Sequence, residues 1–321
     1  MAEPTSTDLH VNQLLTNVSI GYVNSMYISE GLFPELPVMK QTGIIPRYNQ
    51  SAWFRDNAEK RAPGTRSRRG GFTVNNTMTY HCHRYSYGFE IPDEYRDNTD
   101  APYDMDRDGT RFATDKILLR REMDFAANIF TTSVWGSEKT GAASGGDFVH
   151  WSDYGSSTPL RDITDYLDEV EGMTAQMPNS GVMGKQVWSQ LKWHPDVIDT
   201  IKHTQRAQMT TDIFSALIEV PKFRVGRGIY TSTPEGTAEA SVAYSRIWGK
   251  AALFMFTPDS PSLFTPAAGY TIVWNRVPNA SRYMKQMRDE EAEIDILEAN
   301  GYFEHKVTSA NSGVFLATAV A

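Results

Sequence analysis

The chain has 321 residues, 40% hydrophobic and 22% charged, with a formal net charge of -8 and one cysteine. At about 150 residues per domain this length suggests roughly two lobes, and the composition suits a chain that buries its own core rather than a disordered or fibrous one. The acidic balance argues against a dedicated nucleic-acid-binding domain, the lone Cys82 excludes an intrachain disulfide, and no apolar run approaches the roughly 20 residues of a membrane-spanning helix.

Residues 1–46 carry apolar islands, Val18 to Val23 and Gly31 to Val38, interrupted by Pro34 and Pro37, which reads as an extended arm. Met1 to Val11 lacks the basic and apolar regions of a secretory signal, so the product is expected to stay in the cytosol where it is made. Ile44 to Phe54 and Phe72 to Ile91 read as strands flanking a polar stretch, Arg55 to Gly71, that Pro63, Gly64, Gly70 and Gly71 punctuate. The pattern predicts a long hairpin over 47–88 with a charged tip.

Asp108 is placed to cap a helix running to about Val134, with Phe112, Leu119, Met123, Ala126 and Phe130 recurring near the helical period. A Gly/Ser-rich loop follows. Thr158-Pro159 opens a second helix, with Leu160, Ile163, Leu167 and Val170 inward, Asp162, Asp165, Asp168 and Glu169 outward, and Gly172 past its end. A short third helix spans Pro195 to about His203. Strands are expected at Lys222 to Thr231, Tyr244 to Phe256 and Gly269 to Asn275, with more between Arg282 and Ala319.

Charge is distributed unevenly. From Arg47 to Gly70 seven basic residues face two acidic ones, a local charge of +5, carried by Arg55, Lys60, Arg61, Arg66, Arg68, Arg69 and Arg47. From Phe89 to Asp108 eight acids face two arginines, a local charge of -6, including Glu90, Asp93, Glu94, Asp97 and Asp100. The basic tip has three readings: contact with a neighbouring subunit's acidic surface, contact with phosphate, or a solvated loop. The acidic segment supplies a partner for the first.

Asp104, Asp106, Asp108 and Asp115, with Gly109, copy a calcium-loop spacing apart from Asp replacing the final Glu. Pro92 and Pro102 argue against the preceding helix such a site needs, and Arg111 stands where an apolar residue belongs. The alternative places these carboxylates at the positive end of a helix, where each is favoured by about 0.3 to 1 kcal/mol. No metal or cofactor is assigned. In a strand, His81 and His83 share one face and Cys82 the other, too few ligands for a closed zinc site. No Gly-x-Ser-x-Gly elbow or phosphate loop occurs, so no catalytic residue is assigned either.

Arm, charged hairpin, long helix, mixed central lobe and returning strands together resemble the major capsid proteins of tailed phages. So does local wording: Leu32-Phe33-Pro34, Ser51-Ala52-Trp53-Phe54-Arg55, Arg61-Ala62-Pro63-Gly64-Thr65-Arg66-Ser67, Glu90-Ile91-Pro92-Asp93-Glu94, Leu119-Arg120-Arg121-Glu122 and Thr265-Pro266-Ala267-Ala268-Gly269-Tyr270. Gln186-Val187-Trp188, Leu191, His194-Pro195, Arg288-Asp289-Glu290-Glu291 and Tyr302-Phe303 extend the likeness over nearly the whole chain.

The resemblance implies an α+β Hong Kong 97-type capsid fold with an N-terminal arm (1–46), an extended β-hairpin loop (47–88) and a peripheral domain (89–157) holding a spine helix at 108–134. An axial domain (158–268) and a return to the peripheral domain (269–321) complete it. The resemblance also places the charged loop between subunits, which favours contact with a neighbouring subunit's acidic surface. It implies a non-enzymatic subunit of a virion capsid, assembled in the bacterial host cytoplasm. Pentamers and hexamers would close an icosahedral shell over double-stranded DNA held without sequence-specific binding. Scaffolding, portal and decoration proteins are possible separate partners, and no membrane is involved. A cargo compartment of the same fold is the assembly rival; a soluble enzyme is the rival from another class.

Overall fold

A computed structural model describes residues 26–48, 50–99, 104–201, 209–261, 267–276 and 281–321. Its strands, in chain order, are β1 (Glu35–Val38), β2 (Thr42–Tyr48), β3 (Val74–His81), β4 (His83–Pro92), β5 (Ser137–Ala142), β6 (Phe148–Val149), β7 (Ser180–Gly184) and β8 (Lys222–Gly226). They continue with β9 (Ile229–Thr231), β10 (Tyr244–Arg246), β11 (Ala252–Met255), β12 (Gly269–Trp274), β13 (Arg282–Asp289), β14 (Ile294–Val307) and β15 (Gly313–Ala317). Two larger sheets organise them. One has five strands, in which β14 is paired on both edges; the other has six, in the order β6-β5-β15-β11-β7-β8.

The longest helix described spans Met105–Asn128. It begins three residues before the expected start because Asp104, not Asp108, is the cap: its side chain accepts from Arg107 N at 3.0 Å. It stops at Asn128 rather than near Val134. Beyond it the Glu138 carboxylate accepts the N–H groups of Ser133, Val134 and Trp135 at 2.8 to 3.0 Å, holding a turn in which Ser133 takes φ 67°. The buried stripe runs Ala113, Ile117, Leu118, Arg121, Glu122 and Phe125, at intervals of one to four residues around one face. Ile117 and Ala113 pack with Ile91, Met284, Leu297 and Phe303 of the five-stranded sheet. Gly109 is needed where it stands, since a Cβ there would come within 2.5 Å of the Phe89 ring.

The six-stranded sheet separates two cores, and strand alternation decides which side chain enters which. Met183, Ala252, Phe254, Val314 and Leu316 face a core completed by the helices Pro159–Thr174, Lys185–Leu191 and Thr211–Leu217. Val182, Leu253, Met255 and Phe315 face the opposite way, onto Phe125, Ile129 and Phe130 at the end of the long helix and onto Leu32, Phe33 and Trp248. Buried on both faces, β7 and β11 read as short continuous runs of apolar and small residues.

β12, β13 and β14 enter the five-stranded sheet, while β15 lies inside the six-stranded one, between β5 and β11, with β6 beyond β5. Several expected elements are corrected. The strand expected at Lys222 to Thr231 is two strands broken at Arg227-Gly228, and that at Tyr244 to Phe256 is broken around Gly249, whose φ is 53°. The second helix runs through Gly172 to Thr174 and ends on Ala175 in the left-handed region. The helix at Pro195 is described to Ile201, and the remainder of its expected span lies outside the described residues. No helix among the described residues is long and apolar enough to cross a membrane.

Of the expected arm, residues 1–25, with Val18 to Val23, lie outside the described residues. The rest is anchored rather than loose. β1 pairs in parallel with β12, and Leu32 and Phe33 are buried, Phe33 edge-on to Phe125 at 5.0 Å. Arg121 reaches Glu30 at 3.1 Å and Glu35 at 2.6 Å, and Arg282 also meets Glu30 at 3.1 Å. Glu122 accepts from Ile28 N, from Ser29 N at 2.8 Å and from Trp248 Nε1 at 2.6 Å. Burial pushes its carboxyl up, against the pull of those donors. Replacing Glu122 by Ala strands three donors in a dry site and is expected to lower unfolding free energy by about 3 kcal/mol, at roughly 1 to 3 kcal/mol per buried unsatisfied group. A lower urea midpoint by circular dichroism checks this; an unchanged midpoint contradicts it.

Candidate assembly surface

In place of a hairpin over 47–88, β2 and β3 form an antiparallel two-stranded ribbon over 42–81, with a register shift between Ile45 and Arg47, while the strand expected from Phe72 to Ile91 breaks at Cys82 and its second part, β4, pairs with β14. The ribbon's tip, 54–73, has no regular secondary structure and is exposed throughout. Pro63, Gly64 and the Gly70-Gly71 pair forbid helix or ladder there, and the dense positive charge keeps the segment in water. Arg55, Lys60, Arg61, Arg66, Arg68 and Arg69 all lie on it, exposed, with Arg68 paired to Glu59. At its other end the ribbon joins the body through Cys82, which is buried between β3 and β4; burial, then the nearby Glu304, pushes its thiol up to about 12. His81 and His83 flank it on the outside, their rings 4.7 Å apart.

The acidic residues are used less uniformly than their spacing suggests. Glu90 lies two residues before the end of β4, and Asp93, Glu94 and Asp97 sit on the short helix Asp93–Asp97; Asp100 lies outside the described residues. Glu90, Glu94 and Asp97 are exposed. Asp93 is taken within the chain, bound by both terminal nitrogens of Arg288 at 2.6 Å, which holds its carboxyl below the ordinary carboxylate range. The sequence also left a neighbour unplaced. Asp93 N donates to Glu293 O at 3.1 Å, so the β13–β14 turn, with exposed Asp289, Glu290, Glu291 and Glu293, lies beside that helix. The run of acids is plain in the sequence; its partner, nearly 200 residues away, is not.

The calcium-loop spacing falls in a helix instead of a loop. Residues 105–115 are helical, which spreads alternate side chains around the axis. Asp104 caps, Asp106 binds Arg96 at 2.8 Å, Asp108 lies 3.3 Å from Arg107, and Asp115 accepts from the Tyr27 hydroxyl. No group of three His, Cys, Asp or Glu that could hold a metal occurs among the described residues. The outward acids of the Pro159–Thr174 helix are partly structural: Asp162 accepts from Trp151 Nε1 at 3.1 Å, and Glu169 pairs with Lys139 at 2.8 Å.

One further concavity, of about 440 Å³, lies between the end of the long helix and β14, lined by Tyr85, Asp124, Asn128, Val134, Phe303 and Glu304 among others. Asp124 is half-buried there, and burial pushes its carboxyl up despite Arg120 at 3.8 Å.

No family model matches this chain. It is 25% identical over 314 residues to a major capsid protein of Burkholderia phage BcepMu, covering 95% of each chain. It is 26% identical over 245 residues, 75% of each, to that of Pseudomonas phage JBD67. A phage-related protein of Bordetella bronchiseptica superposes with a TM-score of 0.73 at 22% identity, over 97% of this chain and 98% of that one. The fold is that of a tailed-phage major capsid protein. The capsid of cyanophage P-SCSP1u shares it at a TM-score of 0.58 and 11% identity, over 94% and 92% of the two chains. An encapsulin of Synechococcus elongatus shares it at 0.51 and 10% identity, over 99% and 92%. Both curated relatives are major capsid proteins of phages.

Within that fold, His305 of β14 is a built-in acid sensitivity. It is buried, its Nδ1 is 3.0 Å from Thr271 Oγ1, and burial, reinforced by Arg121, lowers its pKa to about 3. The unfolded chain, titrating near 6.5, binds the extra proton between these values. The contribution of the neutral imidazole is therefore full above about pH 6.5 and is lost as pH falls toward 3. His305→Gln is expected to give a shallower loss of unfolding free energy across this window, measured by urea titration; an identical slope contradicts it.

Proposed function

We propose that copies of this chain associate as pentamers and hexamers into an icosahedral shell around packaged double-stranded DNA, without catalysis. Assembly would occur in the bacterial host cytoplasm, with any scaffolding, portal or decoration protein supplied separately. The observation that carries the reading is the match with two phage major capsid proteins, over 95% of the chain for one and 75% for the other, joined to a folded body that projects an exposed basic loop. An encapsulin shares the fold, but the relatives matched in sequence are phage proteins, which favours a virion shell over a cargo compartment.

In this reading the loop residues Arg55, Lys60, Arg61, Arg66, Arg68 and Arg69 lie against the acidic end of a neighbouring copy. Glu90, Glu94 and Asp97 would meet them, supported by Asp289, Glu290, Glu291 and Glu293. Asp93, already bound by Arg288, would shape that surface more than supply charge. Exposed ion pairs contribute about 0 to 1 kcal/mol each, so the contact selects orientation and register, and apolar burial supplies adhesion at about 25 cal/mol per Å².

Reversing Arg66, Arg68 and Arg69 to Glu is expected to lower shell yield while leaving the subunit folded, since exposed positions alter stability by less than about 0.5 kcal/mol. High salt should recover part of the yield by screening the new repulsion. Sedimentation and electron microscopy at two ionic strengths, with circular dichroism, read the result. Normal shells at low salt would defeat the pairing; normal shells holding less DNA would move the loop to phosphate contact.

A further inference from the structure

At one end of the six-stranded sheet four cations gather. β7 and β8 run in parallel with Gly184 opposite Gly226, so Lys185 and Arg227, the residues that follow, leave the sheet side by side. Gly184 fixes that exit, since a Cβ there would lie 1.9 Å from the Gly249 carbonyl oxygen. On the β9–β10 ribbon Arg246 stands opposite Ile229, and Ile247 N donates to Gly228 O at 3.0 Å, which returns Arg246 to the neighbourhood of Arg227. Lys192 follows the helix Lys185–Leu191 and lies about two turns from Lys185, on the same side.

The grouping is unfavourable as it stands. Burial, then the charges of Arg227, Lys192 and Arg246, lowers the pKa of the Lys185 ammonium, and no carboxylate offsets them. None of the four forms an ion pair with a described residue. Cations elsewhere on this sheet and its helices are matched: Lys139 with Glu169 at 2.8 Å, Arg161 with Asp165 at 3.7 Å, and Lys222 with Asp259. Like charges held together at such a cost mark a place where an anion from outside supplies the compensation. The surroundings suit phosphate. Trp193 is 61% exposed, with the Lys192 ammonium 5.0 Å from its ring centre, and Tyr244, 59% exposed, shares a face of β10 with Arg246. An indole N–H and a phenol O–H are donors of the kind that meet phosphate oxygens beside Lys and Arg. The overall charge of -8 does not oppose this, because charges more than about 8 Å away are largely screened at physiological salt.

We infer that this face binds the phosphate groups of double-stranded DNA, with Lys185, Lys192, Arg227 and Arg246 as the contacting cations. It takes its ligand from the reading of the chain as the subunit of a DNA-filled shell, and gives that reading a surface turned toward the genome, distinct from the basic loop. The contact is to the backbone, so it is independent of base sequence and weakens with salt.

Two measurements on the full chain test it. Fluorescence anisotropy of a labelled short DNA duplex reads binding by the subunit across a salt series. Lys185→Gln, Lys192→Gln, Arg227→Gln and Arg246→Gln combined are expected to weaken binding at low salt at least about tenfold, and to flatten the slope of log affinity against log salt by about 0.9 for each contact removed. The variant should melt no lower than the unsubstituted chain, because the change relieves repulsion. Separately, an amine-reactive label is applied to the unsubstituted chain with and without the duplex, and mass spectrometry reads each lysine. Lys185 and Lys192 should lose reactivity when the duplex is present, more than Lys60 of the basic loop, while Lys285 of β13 does not change. Greater protection at Lys60, unchanged duplex affinity in the variant, or stronger protection by polyglutamate than by DNA would each overturn the assignment, the last moving the face to an acidic protein partner. Neither readout needs shells. Protection of Lys185 and Lys192 by DNA in a chain that never assembles upholds the phosphate face and removes the capsid reading; shells without that protection do the reverse.

Discussion

Two adjacent side chains on the long helix, Arg121 and Glu122, tie the subunit together. Both are buried, which is unfavourable for a charge unless partners replace its water. Here the partners come from three parts of the chain. Arg121 binds Glu30 and Glu35, while Glu122 takes two backbone N–H groups of the N-terminal segment and the indole of Trp248. The segment before β1 is thus read by both signs of charge at once. A slip of one residue would leave at least one buried ion without a partner, so the pair specifies position more than it adds stability.

Around that anchor the apolar residues divide cleanly. The six-stranded sheet sends alternate side chains into two cores, and the long helix belongs to only one of them. Leu253 and Met255 therefore join the helix end to the sheet, while Ala252 and Phe254, one residue away, serve the helical layer on the other face. The five-stranded sheet covers the opposite end of the helix stripe through Ile117 and Ala113. One helix is thereby packed against both sheets, and neither sheet can shift without moving it.

Much of this was legible in the residues and some was not, for physical reasons. The long helix, the Pro159 helix and the two-stranded ribbon follow from local period and punctuation, and the errors in the helices are errors of capping: Asp104 and Asp108 are equally good caps in a sequence, and only the Arg107 N–H distinguishes them. β7 was missed because Ser180 to Gly184 is small and buried on both faces, without the alternation that marks a strand. The place of β15 could not be read, since a run such as Val314-Phe315-Leu316 fits the centre of either sheet. The basic loop was visible as composition. The acidic surface was half visible: the run at 289–293 is conspicuous, yet nothing local says that it abuts residues 90–97.

β14 is fourteen residues long and hydrogen-bonded to β4 along one edge and to β13 and then β12 along the other. Ladder bonds lie across the strand direction. Tension applied along β14 therefore loads many bonds in parallel, in shear, instead of opening them one after another as in unzipping. The strand behaves as a tie rod within the five-stranded sheet. A wall that must contain outward pressure gains toughness from such an element without any covalent link between its parts.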